Sequence, residues 1–146
     1  MDQAQMDTWI AIALAFAAFM FIRFLPRIQA KLIGVPFIDA EDAKNMVDGS
    51  EDVLVLDVRT PGEFTGDLGH IPGALNLDAM RLNQKLGELG DALEPYKTQP
   101  ILITCRTHNR SPRAAKILAQ KGFKKLMILD GGMAGWNRLG YPTTKS

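Results

Sequence analysis

From Trp9 to Ile22 the chain reads WIAIALAFAAFMFI, without one polar side chain. Such a stretch has two stable fates, a helix in lipid or a helix buried in protein, because its backbone groups must bond within the segment wherever water is excluded. Fourteen strictly apolar residues fall short of the roughly 18 to 20 that cross a bilayer. Thr8, Phe24 and Leu25 lengthen the segment, and the long stem of Arg23 reaches outward to the interface, so a short single span over about residues 8–25 is expected. Pro26 marks its end or a kink. A cleaved signal peptide fits less well, since Asp2 and Asp7 rather than basic residues precede the run and no small-x-small site follows at once. A surface-lying helix would keep a polar face, which this segment lacks. Arg23, Arg27 and Lys31 follow the span and no basic residue precedes it, which places the remainder of the chain in the cytoplasm.

The 146 residues are 47% apolar and carry a formal charge of +1. That is enough for one domain and an appendage, too apolar for a disordered chain, and too near neutral for a dedicated nucleic-acid binder. Three of the 17 basic and two of the 16 acidic side chains precede residue 35, leaving 14 of each in residues 35–146. The single cysteine, Cys105, allows no internal disulfide and no cysteine-rich metal site. No metal and no cofactor are expected.

After Gly34-Val35-Pro36 the pattern changes to short apolar runs alternating with amphipathic segments, so the organisation read here is an anchor and juxtamembrane segment over 1–34 and a domain over 35–146. Phe37-Ile38 reads as an edge strand, and Asp39 as the cap of a helix from Ala40 to Val47 stopped by Gly49. Val53–Leu56, Ala74–Leu77, Ile101–Thr104 and Leu126–Leu129 read as strands. Thr60-Pro61 starts a short helix, residues 80–94 have helical spacing, and Pro112–Lys121 is a helix closed by Gly122. Strands alternating with helices predict an α/β fold with a mainly parallel sheet covered on both faces, whose ligands bind beyond the carboxyl ends of the strands. Asp57 and Cys105 sit at that edge.

The loop Cys105-Arg106-Thr107-His108-Asn109-Arg110-Ser111 joins a buried strand to a helix, with Ser111 suited to the N-cap and Pro112 to the first helical position. A thiol there faces unpaired N–H groups and the positive end of a helix dipole, and both favour its anion. The dipole contributes about 0.3 to 2 kcal/mol, and charge-assisted N–H contacts add to it. From 105 to 125 there are seven basic residues, Arg106 and Arg110 among them, and no acid, a composition that attracts small anionic substrates.

Asp57-Val58-Arg59, Glu63-Phe64, Gly69-His70-Ile71-Pro72-Gly73-Ala74-Leu75-Asn76, the cysteine loop, and Gly131-Gly132 with Trp136 occur in an order and spacing that resembles the rhodanese-homology family over nearly all of residues 37–142. The plan of one anchor and one such domain is similar to single-domain membrane-bound bacterial rhodaneses. The resemblance implies a five-stranded parallel sheet with helices on both faces and a sulfurtransferase that carries sulfane sulfur as a persulfide on Cys105. Its donor is thiosulfate or a persulfide, its acceptor a thiol or cyanide. Arg106, Thr107, His108, Asn109, Arg110 and Ser111 would line the sulfur and substrate site, with Arg106 and Arg110 either holding the anionic donor or bracing the loop. Asp57 and Arg59 would buttress the loop, while His70, Gly131, Gly132 and Trp136 are structural. His108 replaces the glycine usual in this loop, and is either a tolerated replacement or an influence on substrate choice.

Two rivals remain. One is a catalytically idle rhodanese-like module that binds a partner at the membrane. The other is a cysteine-dependent phosphatase, although those enzymes place one more residue between cysteine and arginine than the four separating Cys105 from Arg110. The expected location is the inner membrane, single-pass, with the domain in the cytoplasm. A reporter active only in the cytoplasm, fused after Ser146, should therefore give signal, and a reporter active only in the periplasm should be silent; the opposite pattern would invert the topology.

Overall fold

The computed structural model describes residues 2–49 and 52–146. Helix α1 (Gln3–Leu32) opens on a reciprocal cap in which the Asp2 carboxylate accepts the Gln5 N–H and the Gln5 side chain accepts the Asp2 N–H. It does not end at Pro26. The helix continues through that residue to Leu32, because Pro26 and Ala30 are buried and the packing of the last turns offsets the hydrogen bond that proline removes. Thirty residues make a rod about 45 Å long. Its apolar window, of mean hydropathy 2.1, is covered by nothing else in the chain, so α1 is long and apolar enough to cross a membrane.

Five strands follow: β1 (Phe37–Ile38), β2 (Leu54–Asp57), β3 (Leu75–Asn76), β4 (Ile101–Thr104) and β5 (Leu126–Leu129). They form one sheet in the order β1-β5-β4-β2-β3, every pair parallel. The alternating pleat divides the strand residues between two apolar layers. Leu56, Ile101, Ile103, Leu126 and Ile128 face one layer, closed by Ala30 of α1, Leu82 and Leu86 of α4 (Leu82–Leu89), and Ala114, Ala115 and Leu118 of α5 (Ser111–Gln120). Val55, Leu102 and Leu129 face the other, closed by Ala40 and Ala43 of α2 (Ala40–Gly49) and Met133 and Trp136 of α6 (Gly132–Arg138). Asp39 caps α2 by accepting the Asp42 N–H at 2.8 Å.

Boundaries differ from the sequence reading at several further elements: α2 runs to Gly49 rather than Val47, and α5 spans Ser111–Gln120 rather than Pro112–Lys121. The second strand runs one residue later, through Asp57, and the third is only Leu75–Asn76. The helix expected over 80–94 is split at Gly90, whose φ of 50° ends α4 and starts a 3-10 segment, Gly90–Tyr96. The expected α/β architecture with a parallel sheet is present.

Ala30 has no exposed surface at the seam between α1 and α5. Ala30→Leu forces extra methylenes into that seam and should destabilise the full chain by about 1–3 kcal/mol in thermal or denaturant unfolding in micelles. An unchanged transition would mean that the seam is not packed.

Candidate active site

Two buried strand ends set the floor of the site. Asp57 closes β2 and is fully buried; Arg59, 1% exposed, lies two residues on. The guanidinium donates from Nε to Asp57 Oδ1 at 2.9 Å and from Nη2 to Oδ2 at 2.6 Å. Its remaining donors reach backbone carbonyls, Nη1 to Glu63 at 3.1 Å and Nη2 to Gly69 at 2.6 Å. The Asn76 amide donates to the carbonyls of Asp57 and Arg59, fixing β3 to the same strand end. Arg59 thus braces the turn after β2 rather than touching the cysteine loop itself.

That turn is α3 (Pro61–Phe64), started as expected at Thr60, whose hydroxyl accepts the Glu63 N–H while the Glu63 carboxylate accepts the Thr60 N–H. Glu63 then meets the cysteine loop. Arg110 donates from both Nη atoms to the two carboxylate oxygens at 2.7 Å, a bidentate pair. Arg110 therefore braces the loop from the far side, and Arg106, exposed beside a hollow shared with Thr60, Glu63 and Asp67, is the loop's open cation. Sequence reasoning quoted Glu63 as part of a motif but gave it no role; the Thr60–Glu63 cap was the signal that its carboxylate is held in place.

Cys105 follows β4 directly and is 1% exposed, packed in the apolar layer that holds Val58 and Ala114. The loop after it is clamped by α6: the Met133 N–H reaches the Cys105 carbonyl and the Ala134 N–H the Arg106 carbonyl, both at 2.9 Å. Gly132 makes that approach feasible. A Cβ there would lie 2.2 Å from the Thr107 oxygen and 2.5 Å from the Cys105 oxygen, on a backbone whose φ is already 56°. The carbonyls of Cys105, Arg106 and Arg110 are engaged, whereas among the described residues no backbone N–H from Arg106 through Ser111 makes a hydrogen bond. These unbonded donors follow the single cysteine directly along the chain.

Ser111 is not the N-cap. It is the first residue of α5, Arg110 takes the capping position without a side-chain bond, and the Ser111 hydroxyl is left buried without a partner. The backbone has already turned helical at Ser111, which removes its side chain from capping geometry. His108 adopts no positive φ, so the loop does not demand glycine here. Its ring meets Phe37 edge-on at 6.1 Å, and its Nδ1 is buried without a partner. Burial holds the imidazole below its ordinary pKa; Asp130 opposes this, and Arg27 and Arg23 add to it, so the ring is neutral at pH 7. Asn109 is exposed and Thr107 half-buried. His70 accepts a structural place, stacked on Phe64 at 3.5 Å with Nδ1 at 2.7 Å from the Phe64 carbonyl oxygen.

The Arg110 hydrogen bonds, outweighing partial burial, lower the Glu63 pKa from 4.5 to about 2. A carboxylate whose folded pKa is depressed contributes stability above its unfolded value and loses it as pH falls through the folded one. Glu63→Gln should therefore cost about 1 kcal/mol at pH 7, the pair being partly solvent-screened. The difference from the parent protein should fade between pH 4.5 and about 2. A pH-independent difference would show that the ion pair is not its source.

Residues 39–139 match the family model described as a rhodanese-like domain. A sulfurtransferase of Allochromatium vinosum is 34% identical over 72% of this chain and 91% of its own length. A thiosulfate sulfurtransferase of Pseudoalteromonas translucida is 33% identical over 59% of this chain and 74% of its own. A rhodanese-related protein of Thermoplasma volcanium superposes with a TM-score of 0.63 at 27% identity, covering 76% of this chain and 99% of that one. With the matched segment running from the cap of α2 to the end of α6, this chain belongs to the rhodanese-like domain family.

Proposed function

We propose that the chain is a membrane-anchored sulfurtransferase working through a Cys105 persulfide, with residues 1–34 as the anchor and juxtamembrane segment and residues 35–146 as the domain facing the cytoplasm. The observation that carries this reading is the run of unbonded backbone N–H groups from Arg106 to Ser111 directly after the one cysteine, at the end of a central strand. Donors fixed in that way stabilise a terminal sulfur anion as they would an oxyanion. The Cys105 thiolate attacks the outer sulfur of thiosulfate or of a persulfide donor, the S–S bond breaks, and sulfite or a thiolate leaves. Cyanide or a thiolate then attacks the outer sulfur of the Cys105 persulfide and regenerates the thiolate. No second cysteine exists to resolve the persulfide internally, so the acceptor is external. Arg106 meets the anionic donor at the mouth; Thr107, His108 and Asn109 shape it; Ser111 offers its unpartnered hydroxyl beneath the loop.

The anchor reading is supported by α1 running unbroken from its apolar run into turns packed in the core. The names of the two sulfurtransferase relatives support the reaction class. One observation favours the idle-module reading, the near-complete burial of Cys105, which requires the loop to part before a donor enters.

Intact mass decides between these. After exposure to thiosulfate the full chain should gain the mass of one sulfur atom, lose it to a reductant, and gain nothing as Cys105→Ser. No gain with any sulfane donor would favour the idle module, and hydrolysis of an aryl phosphate without sulfur loading would favour the phosphatase.

A further inference from the structure

The turn between α1 and β1 sets the direction in which the site faces. Val35 returns its N–H to the Ala30 carbonyl at 2.9 Å, with Gly34 at a φ of 72°; Pro36 then accepts the Ile128 N–H while Arg27, earlier in α1, reaches Asp130 beyond the end of β5, so α1 and β1 run in opposite senses. Because β1 is parallel to the rest of the sheet, following α1 toward its amino terminus leads past the edge where the strands end. Arg27 marks the level of that edge, donating from Nη2 to both oxygens of Asp130, the residue after β5, at 2.9 Å. From Arg27 outward, Leu25 lies about 3 Å further along the helix and Ile22 about 7.5 Å. The headgroup zone of one leaflet is roughly 5–7 Å deep. With the span ending at Leu25, as the sequence leads one to expect, and α1 along the bilayer normal, the edge that carries Asp130, His108 and Cys105 lies at headgroup depth.

Side chains at this edge agree. The Arg27 guanidinium carbon is 5.0 Å from the Phe37 ring centre, and Phe37 meets His108. Met80, past the carboxyl end of β3, is 79% exposed at the same edge.

The geometry points to a sulfur acceptor held in the bilayer: a small amphiphilic thiol at the headgroup layer, in place of a soluble protein. This rests on the sulfur-transfer and anchor readings above. An edge at that depth leaves no water layer deep enough for a folded protein between it and the headgroups, whereas a small thiol carried in the bilayer is already at its level. In the step itself the acceptor thiolate attacks the outer sulfur of the Cys105 persulfide. The bond from that sulfur to Sγ breaks, Sγ leaves as the thiolate, and the acceptor becomes a persulfide, with no other oxidant or reductant consumed.

The test uses the full chain in phospholipid vesicles. Flotation with the vesicles and sulfur loading from thiosulfate are measured first; failure of either overturns the anchor or sulfur-transfer reading, and this inference with it. Orientation is then read separately, with a fluorophore on Met80→Cys or Thr98→Cys in a Cys105→Ser background and nitroxide on the lipid headgroups. Quenching should be several-fold stronger at position 80 than at position 98, which precedes β4 at the opposite edge; equal or reversed quenching would overturn the orientation. Finally, the loaded protein is offered a phospholipid with a thiol headgroup, or a soluble protein carrying one surface thiol. Sulfur should pass to the lipid thiol several-fold faster, and Arg27→Ala with Asp130→Asn, which frees the seam, should narrow that difference. Equal transfer to the soluble protein would overturn the assignment, as would transfer only to a single-span peptide with an interfacial cysteine.

Discussion

A carboxylate with no solvent cannot remain charged without partners, and at Asp57 they all come from one side chain and its neighbours. Arg59 satisfies both carboxylate oxygens and spends its remaining donors on the carbonyls of Glu63 and Gly69. Removing one member of such a pair leaves an uncompensated buried charge, at about 3–5 kcal/mol. Replacing both by apolar residues could be neutral for stability, so the pair is better understood as a device that fixes geometry. It turns the end of a central strand into a rigid base for α3, and α3 presents Glu63 to Arg110. The chain of contact from the sheet to the cysteine loop is Asp57, Arg59, the Glu63 backbone, the Glu63 carboxylate, Arg110.

The loop is consequently held from two sides by different means. On the α3 side the hold is ionic and half-exposed. On the α6 side it is backbone to backbone and steric, since Gly132 admits two loop carbonyls to distances no Cβ would permit. Both holds engage side chains or carbonyls and leave the loop's N–H groups unbonded. A loop stabilised by its own amides would have no donors to offer a sulfur anion; one stabilised by its acceptors does.

The parallel sheet was legible because Val53–Leu56, Ile101–Thr104 and Leu126–Leu129 are compact runs dominated by apolar residues, buried on both faces, whose alternate side chains fill two layers. Cys105 was legible as a strand-end residue for the same reason. Helix boundaries were less so. The α1 helix passes Pro26 because tertiary packing beyond it, at Ala30, outweighs a local breaker, and the 80–94 helix breaks because Gly90 takes a positive φ that apolar spacing does not reveal. The roles of Glu63, Phe37 and Asp130 depend on partners 47, 71 and 103 residues away in sequence, Arg110, His108 and Arg27. No local pattern announces a contact of that separation; only the fold brings such residues together.

The seam between α1 and the rest of the chain is a packed one, unlike a flexible tether. A flexible tether would concentrate the domain near a membrane while leaving its orientation free, and its effective concentration would fall with tether length. Here Pro26 and Ala30 are buried, Arg27 is paired with Asp130, and Gly34 reverses the chain directly into the sheet. Translation and rotation are restricted together. The same contacts bring Phe37 against His108, so the replacement of a small loop residue by histidine coincides with the place where the helix end meets the loop. A neutral, half-buried imidazole fills that junction without adding charge to a surface already rich in arginine and lysine. His108 therefore belongs to the junction of α1, β1 and the loop as much as to the loop itself, with Phe37 meeting both its ring and the Arg27 guanidinium.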